Sequence, residues 1–156
     1  LVLTPKRNPR MRRLTLALAT IATLAIAPTA AARDTRQQFD IATAIAAGKA
    51  DGTLDGSVQF HFKGARAPAV TDRLGAATTN RKTNAFGKSD ARACQWVFLG
   101  ALKALQEAAK ERGANAVVDI ESNYKNQPFS SATQYECGAG GLMAGVALKG
   151  VYAKVK

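Results

Sequence analysis

The sequence predicts an α+β fold, an antiparallel-rich sheet of four to five strands with one main amphipathic helix, residues 89–112, packed on it. Three observations carry this expectation. The first is helical periodicity in SDARACQWVFLGALKALQEAAKERG. At about 100° per residue, with Cys94 at zero, Val97, Phe98, Ala101, Leu102, Leu105, Ala108 and Ala109 fall within about 80° of it. Gln95, Lys103, Gln106, Glu107, Lys110 and Glu111 fall on the opposite, polar side. The second is the helix-to-strand succession: Gly113 is a helix stop, and the Val117, Val118 and Ile120 that follow suit a strand packed on that helix. The third is a set of other short strand-like runs, among them the alternating SVQFHF and the long terminal LMAGVALKGVYAKV.

In chain order, residues 1–10 precede Met11, a better initiator, and read as an over-extended start. Residues 11–32 read as a secretory signal peptide: Arg12 and Arg13 form the charged region, Leu14 to Ala27 the apolar run, and Ala30 to Ala32 the small-residue cleavage site. The apolar run is short for a bilayer span. No cysteine follows it, so no lipid anchor is expected there. Residues 33–156 then make a single small domain.

Phe39, Ile41, Ile45 and the surrounding alanines predict a short helix within 35–56, ending near Gly48 to Gly52, with an apolar side that could cover Trp96. In SVQFHF, Val58, Phe60 and Phe62 share one face and Gln59 and His61 the other, a strand with its histidine outward. Residues 64–68 turn the chain, 74–80 is a weaker strand, and 81–88 reads as a basic connection into the main helix. Ser89 and Asp90 can cap that helix, and Lys110 and Arg112 suit its C-terminal dipole. After the strand at 115–122 come a turn region at 123–131, a strand at 133–137, a glycine break at 138–141 and a long last strand at 142–155. Gly145 and Gly150 within it suggest bulges or close backbone approach.

Export places Cys94 and Cys137, the only cysteines, in an oxidising compartment, and a disulfide between them is expected. Two cysteines and the single His61 fall short of a four-ligand metal site, so no metal is expected. Five of the 22 basic residues lie in the leader, which leaves 17 against 11 acidic, a net charge of +6. That charge attracts anionic surfaces without pointing to nucleic acid.

Residues 82–89, KTNAFGKS, mimic half of a phosphate-binding loop: Gly87, Lys88 and Ser89 match, but Lys82 stands where the first glycine belongs. An ATPase is therefore not expected. A simpler anion site, or a phosphate or nucleotide site, would use the helix N-terminus with Arg81, Lys82, Gly87, Lys88, Ser89 and Arg92. No nucleophile–base arrangement forms around the sole histidine, and no catalytic residue or cofactor is assigned. Trp96 and Leu99, on or beside the polar face of the wheel, are the candidate partner surface.

The stretches LDGSVQFHF, TNRKTNAFGKSDARACQWVFL, GANAVVDIESNYKN and YECGAGGLMAGVALKG resemble a family of small exported proteobacterial proteins often labelled "excinuclease ATPase subunit". The partial phosphate loop accounts for such a label, and nothing else in the chain looks like a DNA-repair ATPase. More distantly, residues 89–155, with AxxxGANAVVDI and a glycine-containing last strand, resemble the YbjQ type of small domain and the sensor domain of the outer-membrane lipoprotein RcsF. This resemblance implies a helix-on-sheet fold and work by protein–protein contact in the envelope, and the ring-forming YbjQ type leaves an oligomer open. The chain departs from the RcsF-like pattern in having two cysteines rather than four and no lipidation cysteine. The expectation is a periplasmic or secreted, non-enzymatic protein that binds an envelope partner.

Overall fold

The computed structural model describes residues 33–156; the start site and signal peptide read at 1–32 lie outside them. Strand β1, Asp34–Asp40, runs directly into helix α1, Ile41–Ala50. The side chain of Asp40 accepts a hydrogen bond from the Thr43 amide at 2.6 Å and so caps α1. Strand β2 is Gln59–Phe62 and strand β3 is Val70–Asn84. The main helix α2, Asp90–Glu111, leads to β4, Ala116–Ser122, a 3-10 turn at Tyr124–Asn126, β5, Gln134–Gly140, and β6, Met143–Val155.

The fold is α+β, as expected, with six strands rather than four to five. All pairings are antiparallel except β2 with β4. Strand β6 is the hub. Along one edge it pairs with β3, from Val70↔Val155 to Asn84↔Met143. On the other, its first residues pair with β5 (Gly138↔Gly145, Ala139↔Ala144) and its later ones with β4 (Ala116↔Ala153 to Ser122↔Leu148). Strand β1 extends the sheet beyond β5, and β2 beyond β4.

Three expectations need correction. The residues around Phe39 form β1 rather than helix, because Gln37 and Phe39 alternate inward against β5 while only the stretch from Ile41 turns helical. Residues 81–84, read as a connection, continue β3. This edge strand buries only the small Ala77, so its polar sequence hides its pairing. The glycine break at 138–141 is β5 as far as Gly140. The glycine is needed at 138 because a Cβ there would lie 2.0 Å from Cζ of the Tyr124 ring. Gly150 likewise makes a close approach: its Cβ would lie 2.7 Å from the Val118 carbonyl oxygen. Opposite it, β4 bulges at Asp119, whose φ is 54°.

Helix α2 lies across this sheet with the stripe the periodicity specified. Cys94, Val97, Phe98, Ala101, Leu102, Leu105 and Ala109 are buried and Ala108 is half-buried. The side chain of Ser89 caps it by accepting from the Arg92 amide at 3.3 Å, and Gly113 follows its end with φ 68°. Gln106 departs from the wheel. It is buried, and its Oε1 accepts from the Asp55 amide at 3.2 Å, because the loop after α1 folds over that side of α2.

A disulfide joins Cys94 of α2 to Cys137 of β5, with Cα atoms 5.9 Å apart. Four residues further along α2, Phe98 stacks on Tyr135 of β5 with centroids 3.7 Å apart. Among the described residues no helix is long and apolar enough to cross a membrane.

Replacing both cysteines by alanine is expected to lower unfolding free energy by about 4 kcal/mol, the loop-entropy value for their separation, measured by chemical denaturation. Gly150→Ala is expected to cost about 1–3 kcal/mol, because the added methyl presses on rigid backbone; the same denaturation series checks it.

Candidate functional site

Trp96 and Leu99 part company in the structure. Leu99 is buried, and α1 covers it: a Cβ on Gly48 would lie 2.5 Å from Leu99 Cδ2. The partner surface read at 96 and 99 therefore contracts to Trp96, which is 70% exposed. The cover expected from α1 reaches Leu99 and leaves Trp96 bare. Along the exposed edge of α2, Arg92 and Gly100 sit one turn to either side of Trp96, and Lys103 lies beyond. Gly100 has nothing within 4 Å of the place a Cβ would occupy, so that side of the indole is open.

Three of the six residues of the expected anion site serve local tasks. Gly87 supplies a left-handed turn residue with φ 71°. The Lys88 ammonium donates to the Asn84 carbonyl at 3.0 Å, and the Ser89 hydroxyl oxygen is the cap of α2. Arg81 and Lys82 are consecutive on β3 and point to opposite faces of the sheet. The first turn of α2 already holds an anion. Asp90 receives both Arg33 guanidinium nitrogens at 2.8 Å and the Gln37 amide at 2.5 Å, and these hydrogen bonds, Arg33's first, hold its carboxyl below the usual range. Among the described residues, Arg81, Lys82, Lys88 and Arg92 pair with no carboxylate.

On the other side of the sheet from α2, Tyr124 lies against Gly138 and Gly145. Its hydroxyl donates to Asp34 Oδ1 at 3.0 Å, and Lys125 pairs with Asp34 Oδ2. The Lys125 hydrogen bond, then that of Tyr124, lowers the Asp34 pKa, and burial raises that of Tyr124. Beside the ring is a shallow cleft of about 630 Å³ whose lining includes Arg33, Lys82, Leu142 and Met143. The sequence reading missed Tyr124 altogether. The signal available was a tyrosine in the turn followed by glycines on two neighbouring strands.

Asp119 and Glu121, two residues apart on β4, do not share a face, because the bulge separates them. Asp119 is exposed and pairs with Arg73 at 3.0 Å. Glu121 is buried, accepts from the Ser130 hydroxyl, and meets Lys149 at 3.1 Å and Lys63 at 3.3 Å. The Ser130 hydrogen bond, followed by the two lysines, outweighs desolvation and lowers its pKa. His61 is half-exposed, its Nε2 3.0 Å from Gln59 Oε1. Among the described residues no three potential metal-ligating side chains cluster.

Fold and side-chain arrangement together define a small disulfide-bonded α+β protein whose ion pairs lie at its surface and boundary. No protein-family model matches the chain, and no curated protein shows significant similarity to it.

Asp34, Asp90 and Glu121 all have lowered carboxyl pKa values in the folded protein. Their contribution to stability is fully present above the unfolded-state values and is lost as pH falls through the folded ones. The thermal midpoint should therefore be flat above roughly pH 5 and fall below roughly pH 4. Glu121→Gln should lower the midpoint at neutral pH and shrink the acid-side drop; scanning calorimetry across pH checks both.

Proposed function

We propose that the chain is an exported, non-enzymatic protein of the cell envelope that works by binding another protein through the exposed edge of α2. The observation that carries this reading is Trp96, a large aromatic left 70% exposed on a helix whose other large apolar side chains are buried. Tryptophan is the residue most enriched among side chains that dominate binding energy, and an uncovered one on a rigid helix is prepared for that role at little entropic cost. The Cys94–Cys137 disulfide supports export, because such bonds persist in oxidising compartments. The resemblance to RcsF-like domains points in the same direction.

The flanking charges describe the partner. Arg92 and Lys103 border Trp96 along the helix, and neither is paired with a carboxylate among the described residues. A complementary surface has an apolar pocket for the indole within an acidic rim.

The test uses the single tryptophan as both anchor and reporter. A partner captured from envelope extracts should blue-shift Trp96 emission on binding. Trp96→Ala should weaken its affinity by roughly 30-fold, as for a hot-spot aromatic, with thermal unfolding unchanged. Equal affinity of wild-type and Trp96→Ala protein removes this face as the contact.

A further inference from the structure

Two segments meet at one end of the sheet. Strand β3 finishes there opposite the start of β6, with Asn84 paired to Met143, and the Ala85 amide donates to the Leu142 carbonyl at 2.8 Å. The β5–β6 turn and the loop into α2 are thereby held side by side. Three large apolar residues sit on this end in the open: Phe86 at 72% exposure, Leu142 at 67% and Met143 at 49%. With Trp96 they are the exposed large hydrophobics of the described residues. A folded domain ordinarily scatters such side chains, and a cluster on adjoining loop tips marks an interaction surface.

The charge around the cluster is one-sided. Lys82 lines the same cleft as Leu142 and Met143, two residues before Asn84 on the same strand face. Lys88 follows Phe86 by two residues and Arg81 precedes Lys82. None of the three pairs with a carboxylate among the described residues. The acids that border this end, Asp34 and Asp90, are neutralised by Lys125 and Arg33. The surface is therefore apolar at its tips, cationic at its margin and free of unpaired acid.

We infer that this end of the sheet docks on an anionic lipid bilayer. Phe86, Leu142 and Met143 enter the boundary between headgroups and acyl chains, and Lys82 and Lys88 lie against the lipid phosphates. The chemistry matches on both counts: apolar loop tips insert to shallow depth, and clustered lysine and arginine are drawn to acidic leaflets. A protein partner at this end would need no lipid anion and no depth of insertion, and the test separates the two. The docking is distinct from the Trp96 contact, and either can fail without the other.

The experiment adds a reporter at the tip. In the full chain, Phe86→Trp is combined with Trp96→Phe, so that the only indole stands at position 86. Binding is measured by flotation with vesicles of phosphatidylcholine alone or with three parts in ten phosphatidylglycerol. Brominated acyl chains then report whether residue 86 enters the bilayer. The expected results are binding that needs phosphatidylglycerol, falls with salt, and quenches the emission of the indole at the tip. The pair Lys82→Gln and Lys88→Gln should lower partitioning by roughly tenfold or more, and Phe86→Ser with Leu142→Ser should lower it comparably while leaving the far-ultraviolet circular dichroism unchanged. Because any contribution from residues 1–32 is common to all these chains, the differences report the tip. Unquenched emission from the tip indole on vesicle-bound protein overturns the inference. So does binding indifferent to both variant pairs, and so does a tip-dependent protein partner captured without any vesicle affinity.

Discussion

The seam between α2 and β5 is the contact from which the rest of the molecule takes its position. Cys94 and Phe98 are four residues apart on the helix, a rise of about 6 Å. Tyr135 and Cys137 are two residues apart on the strand, a rise of about 7 Å. Both pairs thus repeat on one face of their element at nearly the same spacing. One end of the seam is closed by the Cys94–Cys137 disulfide and the other by the stacked rings of Phe98 and Tyr135. Phe39 of β1 meets Tyr135 at 5.8 Å and Phe62 of β2 meets Phe98 at 6.1 Å, so the outer strands on both sides attach to the same seam. Once Cys94 and Phe98 face inward, helical geometry leaves Trp96 no inward direction, about 200° round the axis from Cys94. Its exposure follows from the covalent and aromatic constraint beneath it.

The second constraint is the sharing of β6. One edge of this strand serves β3 throughout, while the other is divided between β5 and β4. A strand serving two neighbours in succession on one side must let them diverge. The bulge at Asp119, beside Gly150, and the absence of a Cβ at Gly145 and Gly138 are where the chain provides for it. Tyr124 fills the space those last two glycines leave and ties the turn after β4 to Asp34 of β1. The glycines of the terminal half, which in sequence look like interruptions, are the places where backbone and ring approach closely within continuous strands.

This explains what could and could not be read beforehand. The helix, its cap at Ser89, its stop at Gly113 and the last strand were legible, because each rests on local chemistry or on a strong apolar period, and the cysteine pairing because the chain has only two cysteines. Strand β1, DTRQQFD, was not. It is an edge strand with one half-buried aromatic, and the alanine-rich helix after it dominates the local pattern. Strand β3 was read only over 74–80; it is mostly threonine, asparagine, basic residues and alanine, and its full extent is set by pairing with β6, a long-range property that no local window contains. On the helical wheel, Leu99 sits at the border between faces and Gln106 on the polar side, and α1 and the loop after it bury both. Of the candidate sites, the polar-face position of Trp96 was readable from its angle, but not that α1 would cover Leu99 and leave Trp96 exposed. The basic stretch was readable as charge, but its division between a strand, a turn and a cap was not. Phe86, Leu142 and Met143 are inconspicuous in sequence because nothing before the fold brings 86 beside 142.

The net charge of the described residues is not spread evenly over the protein. Acids are matched where the chain needs fastening: Asp34 with Lys125, Asp90 with Arg33, Asp55 with Lys110, Asp119 with Arg73, and Glu121 with Lys63 and Lys149. Arg81, Lys82, Lys88 and Arg92 stand outside these pairs and lie within one stretch that runs from the end of β3 into the first turn of α2. Surface pairs of this kind add little stability one by one. Their larger effect is to set where uncompensated charge remains, and part of it remains beside the apolar tip and below Trp96. Six residues separate Asp90 from Trp96, about 9 Å along the helix. A bilayer under the tip would leave the indole near the headgroup layer, within reach of an envelope protein held at the same surface.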